Sequence, residues 1–142
     1  MEQPFTIERT FNTSIENAWS ALTDKEQMKA WYFNIPEFKP EVGFEFTFDG
    51  GNEGRKYVHL CEITEMVVNK KLGHTWRYKG YEGVSYVLFE LFAEEAGTRV
   101  KLTHEGLETL PQSNPDFKKE NFSAGWNHII GTSLKDFLEK PS

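Results

Sequence analysis

The sequence predicts a single α+β domain: an antiparallel sheet of about six strands, two short helices after the first strand, and a long C-terminal helix laid across the sheet. Three observations predict it. Between Val42 and Glu105 apolar residues recur at every second position in runs broken by short turn-rich segments. After Asn114 they recur at helical spacing instead. None of the breaks between strands is long enough for a crossover helix, so neighbouring strands must run antiparallel. A chain of 142 residues supports one core of this kind, and residues 1–142 read as one domain.

Phe5 to Phe11, with Thr6, Ile7 and Thr10 between, suits a first strand. Thr13 and Glu16 have capping-box spacing and open a helix whose positions Ile15, Ala18, Trp19 and Leu22 share one face. Thr23 and Glu26 repeat that spacing before a second short helix through Met28 to Trp31, which Pro36 and Pro40 keep from continuing. Phe44, Phe46 and Phe48 alternate with Glu45, Thr47 and Asp49, a strand with one ring-bearing and one wet face. The run Gly50-Gly51-Asn52-Glu53-Gly54 predicts a hairpin turn. Further strands are expected over Lys56–Val67, Leu72–Lys79, Val84–Glu94 and Thr98–Glu105. The last helix is expected from Asn114 or Asp116 to Lys140, with Phe122, Trp126, Ile129, Ile130, Ser133, Leu134, Phe137 and Leu138 as its apolar stripe. At ~1.5 Å per residue it is long enough to cross about six strands spaced ~4.8 Å apart.

Composition removes several functions. A net charge of -6 offers no basic footprint for nucleic acid. No run of eighteen apolar residues predicts a membrane span, and Met1-Glu2-Gln3-Pro4 does not open an export signal, so a cytoplasmic location is expected. The lone Cys61 has no intrachain disulfide partner. Twelve Phe and four Trp among 142 residues, by contrast, must fill the interior or line a cavity.

The chemistry-bearing residues are few. His59 and Cys61 share a strand face, yet a metal site needs three or four converging ligands and none of the usual His or Cys spacings occurs, so no metal or cofactor is expected. Mid-strand, Cys61 reads as a packing residue and not a nucleophile. His104 is in phase with Val100 and Leu102 and should point inward, most simply as a hydrogen-bonded structural histidine; Glu62 and Glu105 should face solvent. No serine-hydrolase or phosphate-loop motif appears, so no catalytic residue is assigned. Gly125, at ~1 kcal/mol below alanine in a helix, invites the reading that it leaves room for a ligand or for the sheet.

The order of elements matches the helix-grip fold of START-like, birch-pollen-allergen-like proteins, and local residues sharpen the match. These are Ala18-Trp19-Ser20-Ala21-Leu22-Thr23-Asp24 with Trp31, Gly43-Phe44-Glu45-Phe46, Leu72 with Thr75-Trp76, Gly97-Thr98-Arg99-Val100, Thr103-His104-Glu105-Gly106, and Gly125-Trp126. Taken together the chain resembles the family of activator-of-heat-shock-protein-ATPase homologue-like proteins. The resemblance implies that the sheet is curved and grips the terminal helix, with a cavity between them that relatives use for lipids, hormones or polyketides. The co-chaperones that give the family its name carry a further N-terminal domain, for which 142 residues leave no room. The expected binding residues are Trp31, Phe44, Phe46, His59, His74, Trp76, Phe89, His104, Phe122, Gly125, Trp126 and Ile129, around an apolar or aromatic small molecule. A cyclase- or aromatase-like enzyme and a chaperone-contacting interaction module are the alternatives.

Overall fold

The computed structural model describes residues 4–52 and 55–139. Strand β1 (Phe5–Phe11) leads into helices α1 (Ile15–Thr23) and α2 (Lys25–Trp31), then come β2 (Glu45–Asn52), β3 (Arg55–Val67), β4 (Lys71–Tyr78), β5 (Ser85–Glu94) and β6 (Gly97–Glu105). They form one six-stranded sheet in the order β1-β6-β5-β4-β3-β2, every neighbouring pair antiparallel. The first strand therefore lies beside the last, and α1 and α2 carry the chain from one edge of the sheet to the other.

Both helix starts fall one residue later than the capping-box spacing predicts, for a visible reason. The Thr13 carbonyl accepts from the Thr98 hydroxyl at 2.9 Å, which ties residue 13 to β6, and Ser14 becomes the cap, accepting from the Asn17 N–H at 3.1 Å. At the second start the Thr23 hydroxyl donates back to the Trp19 carbonyl at 2.8 Å, so Asp24 accepts from the Glu26 N–H in its place.

Alternation in the strands holds as expected. Phe46 and Phe48 are buried while Glu45, Thr47 and Asp49 are exposed, and Val100, Leu102 and His104 all face inward, with Glu62 and Glu105 in solvent. The expected turn over residues 50–54 is shorter: Gly50, Gly51 and Asn52 continue β2 and pair with Tyr57, Lys56 and Arg55, and Glu53 and Gly54 lie outside the described residues.

The C-terminal rod is not the uniform α-helix its periodicity predicts. A single 3₁₀ turn (Pro115–Phe117) precedes α3 (Lys119–His128), a π-helical stretch spans Ile129–Leu134, and α4 (Lys135–Leu138) ends the rod. The buried positions are Phe122, Trp126, Ile130 and Leu134, four apart, whereas Ile129, Ser133, Phe137 and Leu138 are half-buried. Spacing by four drifts around an α-helix of ~3.6 residues per turn, and the wider i→i+5 turn brings it back to one face. The π stretch thus keeps one line of side chains on the sheet. No helix among the described residues is long and apolar enough to cross a membrane.

Candidate functional site

Alternation on β3 and β4 aims Tyr57, His59, Cys61 and Ile63, and His74, Trp76 and Tyr78, at the concave side of the sheet. Trp76 sits at the middle of this layer, its ring 4.9 Å from His59, 5.7 Å from Phe48, 5.4 Å from His104 and 5.5 Å from Trp126 of α3. Sheet and rod therefore meet ring on ring.

A chain of hydrogen bonds runs through that contact. The Trp126 Nε1–H donates to His104 Nδ1 at 3.0 Å, which leaves the His104 proton on Nε2, 2.8 Å from Ser85 Oγ; Ser85 in turn donates to the Trp76 carbonyl at 2.8 Å. Every polar atom of this buried chain has a partner. Burial, then the neighbouring His74, pushes His104 down to about 3, so it stays neutral and has neither a lone pair nor a proton to spare for chemistry.

The hollow expected beneath the middle of the rod is filled. Trp126 packs on Trp76, lies 6.2 Å from Phe89 and 6.1 Å from Tyr32, and is only 2% exposed. Space remains on either side of it. Toward α2, a gap of about 10 Å³ is lined by Trp31, Tyr32, Phe46, His74 and Phe89 among others, room for about one water molecule. The buried Tyr32 hydroxyl in this wall has no hydrogen-bond partner among the described residues. His74 Nδ1 donates to the Thr75 carbonyl at 2.8 Å, and burial lowers this histidine to about 4.

Toward the start of the rod lies a larger cavity of about 120 Å³, here called the mouth. Its lining is Gly50 of β2, Tyr57 and His59 of β3, Tyr78 of β4, Asp116 and Phe117 of the 3₁₀ turn, Asn121 and Phe122 of α3, and Phe33 from the segment after α2. The Tyr57 hydroxyl donates to Asp116 Oδ2 at 2.6 Å and accepts from the Asn114 side chain at 3.1 Å. Burial first, and then the bond to Asp116, raises the Tyr57 hydroxyl above its ordinary value. His59 Nδ1 reaches the carbonyls of Phe48 (3.3 Å) and Tyr57 (3.2 Å), while Nε2 has no partner among the described residues. Burial lowers His59 to about 4, against those two carbonyl bonds. Gly50 makes this packing fit, because a Cβ there would stand 2.9 Å from His59 Cε1 and 3.1 Å from a Phe33 ring carbon.

Of the expected binding residues, His59 and Phe122 line the mouth; Trp31, Phe46, His74 and Phe89 line the small gap; Trp76, His104 and Trp126 form the closed centre. Three are displaced. Gly125 is exposed, and an added Cβ would meet nothing within 4 Å, because it sits on the solvent side of α3, one position away from Trp126. Ile129 is half-buried at the start of the π stretch, which turns Ile130 inward in its place. Phe44 precedes β2 and lines an outer groove with Lys25, Glu37, Phe38 and Lys39, away from the mouth. Cys61 is buried among packing residues, and burial pushes its thiol well up, which suits no nucleophile. Among the described residues no three His, Cys, Asp or Glu side chains converge on a metal-sized space.

Sequence reasoning passed over Phe33, Tyr57, Tyr78, Asp116 and Phe117. Two of these carried a signal: Tyr57 is in phase with His59, and Tyr78 with His74 and Trp76, so alternation already set them on the inner face.

Comparison with known proteins places this geometry in context. Residues 12–139 match the family model described as Activator of Hsp90 ATPase homolog 1-like protein. A curated mouse protein, "Activator of 90 kDa heat shock protein ATPase homolog 2", is 28% identical over 131 residues; the match takes in 91% of this chain and 36% of that protein, so the chain spans about a third of its relative. A crystal structure of a Mesorhizobium loti protein superposes with a TM-score of 0.79 at 25% identity over 99% of both chains. DynU16, a putative protein in the dynemicin biosynthetic locus, shares the fold at a TM-score of 0.79 and 16% identity, over 99% of this chain and 48% of its own.

Proposed function

The chain belongs to the Activator of Hsp90 ATPase homolog 1-like protein family, and from that premise we propose that it is a small-molecule binding domain whose guest is compact and apolar or aromatic. The guest seats at the mouth and not beneath the middle of the rod. One observation carries this reading: a cavity of about 120 Å³ walled by Phe33, Tyr57, Tyr78, Phe117 and Phe122 and provided with a few polar atoms, the usual composition of a ligand site. The shared fold of DynU16, a protein from a biosynthetic locus, is in keeping with a small organic guest.

A screen of single-ring aromatics, flavonoids and fatty acids, followed by amide chemical shifts, tests the proposal. Compact rings should saturate with shifts at the mouth. Phe33→Ala, which removes one wall, should admit bicyclic guests that the unsubstituted chain refuses. Absence of a saturable response in both proteins would sink the reading. Turnover of a guest that is lost in His59→Gln while binding persists would move the chain to the cyclase-like class.

The mouse relative favours a second reading, contact with a chaperone, since its name ties that protein to a 90 kDa heat shock protein ATPase. Adding this chain to a purified chaperone of that class should then change its ATP hydrolysis; unchanged hydrolysis and no co-sedimentation remove the idea. A cytoplasmic setting suits either role and the buried free thiol of Cys61.

A further inference from the structure

The polar atoms of the mouth select among guests by chemistry as well as size. His59 Nδ1 is within hydrogen-bond distance only of carbonyl oxygens, those of Phe48 and Tyr57, so the proton of the neutral ring is on Nδ1. Nε2 is then a bare lone pair, 95% of the residue being buried and its ring held flat on Phe48 at 4.4 Å and 11°. Phe33 flanks the ring on another side, 5.9 Å between centroids, and only the missing side chain at Gly50 leaves room for it. Tyr78 supplies the complement. Its oxygen accepts from the Trp76 Nε1–H at 2.8 Å, and its own proton has no acceptor among the described residues. The Tyr57 proton is already committed to Asp116 at 2.6 Å.

The mouth therefore sets an unused acceptor, His59, beside an unused donor, Tyr78, on rings 4.8 Å apart, with Asp116 and Asn121 also in its lining. A hydroxyl group both donates and accepts; an acceptor-only group cannot satisfy His59, and an ether or halogen cannot donate at all. The volume sets the rest of the guest. About 120 Å³ is near the ~150 Å³ of an engineered apolar cavity that takes benzene, which suits a single ring better than a fused system.

From these we propose that the mouth binds a neutral single-ring phenol, its hydroxyl donating to His59 Nε2 and accepting from Tyr78. This rests on the small-molecule reading above and narrows it to one chemical class and one pair of recognition atoms. An unpaired buried polar group penalises the analogue that lacks the hydroxyl, and the penalty is read as a ratio of affinities.

The test titrates the full chain at neutral pH with phenol, fluorobenzene and benzoate, followed by amide chemical shifts. Phenol should saturate with shifts around Tyr57, His59, Tyr78 and Phe117, and bind at least about tenfold tighter than fluorobenzene, its isostere without a donor, and than benzoate, which offers acceptors alone. His59→Phe keeps a ring and removes the acceptor, so the two neutral probes should then bind alike. Should that variant fail to fold, the phenol-to-fluorobenzene ratio on the unsubstituted protein decides by itself. Equal affinity for phenol and fluorobenzene, or phenol shifts confined to residues away from the mouth, overturns the phenol assignment and leaves the small-molecule reading standing. No binding by any ring, in this titration or in the wider screen with Phe33→Ala, removes both.

Discussion

His104 and His59 are set into the same layer of rings, both beside Trp76 and both almost wholly buried, yet they do opposite things. His104 has its two nitrogens between Trp126 and Ser85, and nothing about it is left over. His59 spends one nitrogen on two carbonyls and keeps the other free beside a cavity. The centre and the mouth are made from the same kinds of residue, so aromatic content and burial do not separate a core from a binding site. Saturation of hydrogen bonds does. A region whose polar atoms are all paired makes a joint, and a region that keeps a donor and an acceptor in hand beside a space is where the proposed guest would seat.

Acid should break this comparison most severely, because it attacks both regions together. His59 and His74 are lowered to about 4 and His104 to about 3, all below the ordinary ~6.5. Below ~6.5 the unfolded chain binds more protons than the folded one, so the stability these neutral histidines permit is complete above that pH and drains away as pH falls toward 4 and then 3. Each group contributes a slope of up to ~1.4 kcal/mol per pH unit, and three together exceed any single substitution. Urea midpoints should hold from pH 7.5 to about 6.5 and fall from there to pH 5; a flat profile throughout would show that the three rings take up protons without unfolding. Among substitutions the largest effect is expected from Trp126→Ala, about 3–5 kcal/mol in chemical denaturation, since the ring is 2% exposed and holds rod to sheet. A loss under 1 kcal/mol would mean that the centre is not the joint described.

Much of this was legible in the residues, and what was not has identifiable causes. Strand limits follow from strict alternation: the expected Thr98–Glu105 is observed as Gly97–Glu105, and Lys56–Val67 as Arg55–Val67. The family likeness, carried by short runs such as Thr75-Trp76 and Gly125-Trp126, pointed to the right fold. The rod was harder, since a sequence that places apolar residues at both three and four positions apart reads as α-helix throughout, and only packing shows that the line Phe122, Trp126, Ile130, Leu134 wins by loosening into a π turn. Gly125 was misjudged for the same reason, its angular position depending on which neighbour turns inward. Tyr32 and Phe33 follow the end of a helix, where no period operates, so nothing local says that they plug the concave side. Which nitrogen of which histidine stays free depends on carbonyls eleven and two residues away, in reach only once the sheet is paired.

A smaller effect separates the two histidines directly. His104→Ala strands the buried Trp126 N–H and opens a void at the centre, for about 2–4 kcal/mol. His59→Ala should cost clearly less, because its Nε2 makes no bond and solvent can enter the enlarged mouth. Thermal midpoints of the two variants check the order, and equal losses would erase the distinction between joint and site.

The finest discrimination comes from deleting one hydroxyl in each region. Ser85→Ala removes the link between His104 Nε2 and the Trp76 carbonyl where Ser85 is fully buried, so both remaining atoms lose a partner in a place no solvent reaches, and about 1–3 kcal/mol should go. Tyr57→Phe removes bonds to Asp116 and Asn114, which looks like the larger deletion on paper. Its partners lie beside the mouth, however, and Asp116 keeps a further interaction besides the one to Tyr57, so the expected loss is at most about 1 kcal/mol. Denaturation of the two variants side by side reads the sign of the difference. A costlier Tyr57→Phe would mean that the mouth is as sealed as the centre, and a sealed mouth admits no guest.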